Sequence, residues 1–291
     1  MRTVTAHAFL VLQHLLPKYL STRLMYRLSH IETTGIKNFM IRRFTALYPV
    51  DIDEAARPVP DGYRSFNDFF TRELADGARP IDESADSVVA PADGTVSAAG
   101  RIEHDRLLQA KGHRYSLADL LATDLDDAAA YVDGSFATIY LAPYDYHRVH
   151  APLAGRLLSV RYVPGDLFSV NSATVSLLPG LFARNERLVL SFDTAFGPVA
   201  VILVGALHVG SITTPWTGEL RPRRDGMVEL LRLDPSVPRD VSKGGLLGWF
   251  NFGSTVIVLL PRGACDWRDA LVTGMKLRVG ERIGTARAAR R

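Results

Sequence analysis

An α+β fold is what this sequence predicts: a mainly antiparallel β-sandwich core with amphipathic helices gathered at the N-terminus. From Val88 onward, short apolar runs alternate with Gly- and Pro-rich turns, the pattern of strands and hairpins. Before residue 50, apolar residues recur at helical spacing among Lys and Arg. No internal period of roughly 20–50 residues, the mark of repeat architectures, runs through the chain.

The 291 residues suffice for one large or two modest domains with a real core. At 47% hydrophobic and 22% charged, the composition argues against extended disorder. The single cysteine, Cys265, excludes an internal disulfide and fits a reducing compartment. The net charge of +3 conceals an asymmetry. Residues 1–50 hold Arg2, Lys18, Arg23, Arg27, Lys37, Arg42 and Arg43 against the one acid Glu32, so the remainder is net negative. A cationic end on a mildly acidic body suits a surface that meets anionic lipid or nucleic acid.

Taken in order, the run Ala6–Leu16 is short, broken by His7, Gln13 and His14, and lacks a small-residue cleavage site, so it does not read as a secretory signal. It also falls short of the roughly 20 apolar residues of a spanning helix. Ile36, Phe39, Met40, Phe44 and Leu47, interleaved with Lys37, Arg42 and Arg43, predict an amphipathic helix. Such a helix packs on its own domain or lies in a membrane interface, and the cationic excess favours the interface. Residues 1–50 are therefore expected to be a helical membrane-associating segment and 51–291 the catalytic domain. Asp51–Ser87 reads as a surface connector in which Phe66–Leu74 docks a short helix.

Strands are expected at Gly94–Ser97, Ala137–Leu141, Arg156–Val163, Arg187–Phe192, Val199–Val204, Thr255–Leu260 and Lys276–Ile283, with Thr194–Gly197 as a hairpin loop. Ser116-Leu117-Ala118-Asp119 resembles a capping box opening the one clear mid-chain helix. Residues 287–291 read as a basic tail. The segments 90–96, 150–155 and 274–284 resemble lipoyl- and biotinyl-type β units. Met275-Lys276-Leu277 invites a biotin-acceptor reading, but a carrier lysine needs an exposed hairpin tip, and Lys276 enters a strand.

Two stretches bear chemistry. In Gly248–Leu260, Gly253-Ser254-Thr255 stands at the mouth of an apolar, β-branched strand. Gly253 has no Cβ to shield its carbonyl, and the strand holds Ser254 beside it. Gly-Ser-Thr is also ordinary turn composition. In Tyr140–His150, His147 and His150 stand three apart, on one face only if the backbone turns helically. A metal pair lacks the further ligands that zinc sites need. Imidazole also serves acid–base work near neutral pH. Asp93, just before Gly94, is either a turn residue or a carboxylate that orients a histidine. Ser254, His150 and Asp93 invite a hydrolase triad, yet Phe252 and Val256 stand where a nucleophile elbow has glycines.

These residues resemble the phosphatidylserine decarboxylases of the membrane-associated bacterial type, which are pyruvoyl-dependent. The resemblance spans nearly the whole chain. It is most specific in Phe252–Thr255, Asp145–His150, Ala92–Gly94, Val163–Asn171 and Leu181–Arg187, and looser over the first 60 residues. Phe252 stands where the family more often has Leu. The resemblance implies a zymogen in which Ser254 attacks the Gly253 carbonyl, with His150 as base and Asp93 orienting it. Elimination and hydrolysis would turn Ser254 into a covalent pyruvoyl group and leave two chains, 1–253 and 254–291, associated without a covalent link. The pyruvoyl group would form a Schiff base with phosphatidylserine, release carbon dioxide and yield phosphatidylethanolamine. His147 is implied in decarboxylation, either placing the substrate carboxylate or supplying a proton. No metal is implied.

The same resemblance implies a peripheral protein on the cytoplasmic side of the cell membrane, with an anionic lipid surface rather than nucleic acid as its partner. Whether it forms a homodimer is open at this level. The rival readings are a Ser-His-Asp lipid hydrolase and a non-enzymatic lipoyl-like membrane scaffold.

Overall fold

The computed structural model describes residues 2–123, 128–223 and 226–287. Beyond Arg287, the expected basic tail lies outside the described residues.

Three helices open the chain: α1 (Arg2–Leu15), α2 (Lys18–Ser29) and α3 (Thr34–Leu47). Pro17 separates the first two, since it has no N–H to extend the α1 ladder. In α3 one face docks on the body. Ile41 is fully buried, and the Phe44 ring meets Phe66 edge-on with centroids 5.2 Å apart. The outer positions Ile36, Phe39 and Leu47 stay exposed, as do Val11, Leu12 and Leu15 of α1 and Leu20, Leu24 and Leu28 of α2.

The connector docks the expected short helix, α4 (Phe66–Phe70), whose first turn is capped by Ser65 accepting from the Asp68 N–H at 3.1 Å. Tyr63, Phe66, Phe69 and Phe70 join Ile41 in a small aromatic cluster, separate from the main core. Phe252 packs on both clusters and so ties them together.

The core is an antiparallel sheet. Its strand order is Glu229–Leu230, Gly155–Val163, Arg187–Thr194, Gly197–Val204, Ser254–Leu260, Ser135–Leu141, Gly94–Arg101 and Lys276–Leu277. The loop 195–196 joins its two strands as a tight hairpin with Thr194 opposite Gly197, as the sequence suggests. Ser254–Leu260 lies mid-sheet, with Ser254 opposite Leu141 and Thr255 opposite Val204. All its residues are buried, which explains its unbroken apolar run. Smaller antiparallel sheets flank it, among them Ile212–Thr214 beside Leu246–Phe250 beside Arg148–His150.

One expected strand is divided. Lys276–Leu277 pairs with Gly94–Thr95, while Arg282–Ala286 pairs with Ser87–Val89 and Cys265–Trp267. Gly280, at φ +87°, turns the chain between the two pieces. Ser116 caps the mid-chain helix Leu117–Leu121 by accepting from the Asp119 N–H at 3.0 Å.

Candidate active site

Gly253 and Ser254 sit where a loop enters the central strand. The Ser254 Oγ is buried and has no hydrogen-bond partner among the described residues. Leaving such a group unpaired typically costs about 1–3 kcal/mol. Gly253 is hemmed in. A Cβ there would lie 3.3 Å from the Leu141 carbonyl oxygen and 3.8 Å from the His147 Nε2.

His147 is fully buried, its ring 4.2 Å from that of Phe70. Its Nδ1 lies 2.8 Å from the Asp145 carbonyl oxygen, which only accepts, so Nδ1 carries the proton and Nε2 keeps its lone pair. That Nε2 has no partner among the described residues. Burial pushes the His147 pKa down to about 3, against the smaller upward pull of the Asp145 carbonyl. At neutral pH it is a neutral imidazole with its basic nitrogen beside Gly253.

His150 has different neighbours. It lies in the Arg148–His150 strand, opposite Leu246. Its Nδ1–H donates to the Gly244 carbonyl at 2.8 Å, and its Nε2 accepts from the Tyr146 hydroxyl at 3.2 Å. Burial again lowers its pKa, opposed by the Gly244 hydrogen bond. The His150 N–H also donates to the Pro91 carbonyl at 2.7 Å, which joins this strand to the turn carrying Asp93.

Asp93 is held by other partners. Its Oδ1 accepts from Arg79 Nε at 2.9 Å and from the Val279 N–H at 2.8 Å, and its Oδ2 accepts from Arg79 Nη2 at 2.5 Å. Arg79 Nη2 in turn pairs with Glu54 at 2.9 Å. No hydrogen bond joins Asp93 to His150. The carboxylate acts on that imidazole only through space, in the direction that favours its protonation. Gly94 next to it has to be glycine, because a Cβ there would overlap the Tyr140 carbonyl.

Beside Gly253 lies a cavity of about 180 Å³, lined in part by Phe252, Pro143, Ser169, Asn171 and His208. A larger one, about 670 Å³, opens between the α1–α2 junction and Gly165–Asp166, away from Ser254. The loops around the smaller cavity are braced from the core by Asn185, whose Nδ2 donates to the Phe168 and Gly205 carbonyls at 2.8 and 2.9 Å. They are also braced from the N-terminal helices. Gln13, fully buried, accepts from the Ser169 N–H at 2.7 Å and donates to Thr174 Oγ1 at 3.1 Å. Thr22 Oγ1 accepts from the His208 N–H at 3.2 Å.

Of the residues singled out by sequence, the structure thus brings His147 to Gly253–Ser254 and sets His150 and Asp93 in an adjoining polar group with Tyr146. Tyr146 and Asn185 lie inside stretches already marked by the sequence. Arg79, Gln13, Thr22 and His208 carry no motif that would have marked them. The site offers a buried serine hydroxyl, unpaired among the described residues, beside a half-buried glycine, and a buried neutral base. That combination suits attack on the peptide bond itself.

A family model described as Phosphatidylserine decarboxylase matches residues 66–285, and a second, described as PSD, matches residues 8–49. Over 277 residues the chain is 46% identical to a phosphatidylserine decarboxylase proenzyme of Saccharophagus degradans, covering 94% of this chain and 96% of that protein. It is also 46% identical over 280 residues to the proenzyme of that name from Azotobacter vinelandii, covering 96% and 98%. With the one from Bordetella avium it shares 47% identity over 275 residues, covering 94% and 93%.

Proposed function

The chain belongs to the phosphatidylserine decarboxylase family, and from that premise we propose that it cuts its own backbone between Gly253 and Ser254 to become a pyruvoyl enzyme. It is a decarboxylase that converts phosphatidylserine to phosphatidylethanolamine. The observation that carries the self-cutting step is the buried Ser254 Oγ, unpaired among the described residues, beside Gly253, whose Cβ position lies 3.8 Å from the buried, unpaired His147 Nε2.

The Ser254 hydroxyl loses its proton to a histidine and attacks the Gly253 carbonyl, and the peptide becomes an ester as the Ser254 nitrogen is released. Removal of the Ser254 Cα proton then breaks the ester C–O bond. Gly253 leaves as a carboxylate, and residue 254 becomes a dehydroalanine, which water converts to a keto group with loss of ammonia. The pyruvoyl group so formed supplies an electrophilic carbonyl that takes up an amine and an electron pair. The site fits it: Ser254 is buried, the neutral imidazole of His147 stands beside Gly253, and the adjoining cavity admits the water that the hydrolysis uses. The strand 254–260 stays paired on both sides, so the two chains hold together by packing. Each fully buried Val, Ile or Leu contributes about 1.5–3 kcal/mol.

In the first assignment of roles, His150, with Asp93 behind it, is the base for self-cleavage, and His147 serves the decarboxylation by placing the substrate or moving a proton. A second assignment is favoured by one observation: the unpaired Nε2 nearest Gly253 belongs to His147, while His150 Nε2 is engaged by Tyr146. Under it, His147 also takes the serine proton. His147→Ala and His150→Ala, scored by two-chain formation on a denaturing gel, separate the two. Uncut His150→Ala with cut His147→Ala supports the first, and the reverse pattern the second. Normal cutting in both refutes a histidine base.

The N-terminal helices seat the protein on the cytoplasmic face of an anionic membrane. This reading is supported by the exposed apolar positions of α1–α3, with Leu15 76% and Phe39 65% exposed, alongside the exposed Arg23, Arg27, Arg42 and Arg43, whereas Lys37 is buried and Lys18 pairs with Asp166. No helix among the described residues is long and apolar enough to cross a membrane. We read the β core as a sandwich of lipoyl-like units, a reading supported by the pairing of Lys276–Leu277 with Gly94–Thr95. Flotation with phosphatidylserine-containing vesicles tests the seating, and loss of α1–α3 is expected to abolish it.

A further inference from the structure

Arg72 is 4% exposed, yet its guanidinium makes no hydrogen bond or ion pair among the described residues, and its Nε is buried without a partner. The guanidinium lies over the Phe69 ring, 5.3 Å from Cζ to the centroid. A buried cation without an acceptor is costly, and folded proteins normally pair one. Arg72 follows α4, which lies along the cut site. Asn67 Nδ2 donates to the Asn251 carbonyl at 3.2 Å, and the Phe70 ring is 4.8 Å from that of Phe252. Its charge is felt at His147, the residue beside Gly253. Of the nearby carboxylates, Asp93 is held by Arg79 and Val279, Glu73 pairs with Arg148 at 2.9 Å, and Asp145, whose pKa burial raises, accepts from the Ala142 N–H at 2.7 Å.

We propose that Arg72 is the waiting counter-ion for a carboxylate that the uncut, substrate-free chain lacks and the reaction brings to this site. This rests on the self-cutting decarboxylase reading. Two sources supply such a group. Self-cleavage turns the neutral Gly253 carbonyl into a carboxylate that keeps both oxygens and the negative charge. The substrate brings the carboxylate of its serine headgroup. Either gives the guanidinium the acceptor that it lacks, in a dry setting where charge-assisted bonds are strong.

The test combines Arg72→Met and Arg72→Lys with melting curves, in an uncut Ser254→Ala background and in the processed protein. If the Gly253 carboxylate is the partner, Arg72→Met is neutral or stabilising in the uncut chain and lowers the melting temperature of the processed one, and Arg72→Lys restores part of the loss. If the substrate carboxylate is the partner, Arg72→Met is neutral or stabilising to the same degree in both. KM for phosphatidylserine then rises by about tenfold or more, while inhibition by phosphatidylethanolamine, which has no carboxylate, is unaltered. Equal destabilisation of both backgrounds, or failure of Arg72→Met to fold in either, with KM unchanged in Arg72→Lys, makes Arg72 a structural residue and overturns the proposal. If the protein with its natural serine never cuts, the self-cutting reading fails instead.

Discussion

The side-chain amide of Gln13 accepts a hydrogen bond from the Ser169 N–H at 2.7 Å. A residue of the first helix thereby holds a wall of the cavity that reaches Gly253. On a helix whose neighbouring Val11 and Leu12 are exposed, Gln13 is fully buried with both ends of its amide engaged. The N-terminal segment therefore helps to shape that cavity. Gln13→Ala should leave vesicle binding and self-cleavage intact but raise KM for a dispersed short-chain substrate about five- to tenfold, the usual worth of one buried hydrogen bond. Removal of residues 1–50, expected from sequence only to release the protein from vesicles, should also impair turnover of that dispersed substrate. Steady-state kinetics on the processed proteins checks both.

Arg79 is expected to behave as part of the Asp93 unit. It supplies the side-chain donors that fix the carboxylate, and Val279 supplies the backbone one. Arg79→Gln should slow the appearance of the two chains about ten- to hundredfold, as expected for losing a charge-assisted pair. Pulse–chase analysis of the precursor measures this directly. Cutting at the normal rate would show that Asp93 does not depend on Arg79.

Because burial depresses the pKa of both histidines, neither protonates at the ordinary 6.5. Self-cleavage in cell-free synthesis should hold its rate as pH falls through that value. A rate that halves near 6.5 would point to an exposed base. The same shift has a stability consequence. Between 6.5 and about 3 the unfolded chain binds a proton that His147 in the fold does not, so stability is lost as pH falls through this window.

Glu186 has the opposite sign. Burial raises its pKa from 4.5 to about 8, partly offset by the Tyr162 hydroxyl, and its Oε1 has no partner among the described residues. Within that window the folded protein keeps a proton that the unfolded chain has released, so stability falls as pH rises. Glu186→Gln mimics the protonated acid. Its melting temperature should match the natural protein at about pH 4, below the window, and exceed it at about pH 9. Equal pH dependence in both would place the titration elsewhere.

Much of this was legible in the chain itself. The Ser254–Leu260 strand announces its central place through the β-branched run Thr255–Val258 and the two leucines after it, because a strand buried on both faces needs no polar alternation. The helix of Thr34–Leu47 shows its period plainly, although sequence alone could not assign a partner to each face. The Lys276–Ile283 run reads as one strand in sequence because nothing in its apolar pattern marks Gly280 as a turn. At the site, Gly253, Ser254 and the histidines stand out by type and spacing. The partners of Asp93 do not, since Arg79 and Val279 lie 14 and 186 residues away and meet it only through the fold. Gln13 was the least legible. In a periodic helix it reads as an interruption, and only the packed loop shows what its amide is for.

Intact mass of the freshly purified protein, with and without borohydride in the presence of an amine, bears most directly on the self-cutting reading. Two fragments divided between Gly253 and Ser254 are expected, with the smaller one lacking a free amino end and gaining the mass of the trapped amine. A single uncut chain of 32.0 kDa that takes up no amine would contradict it.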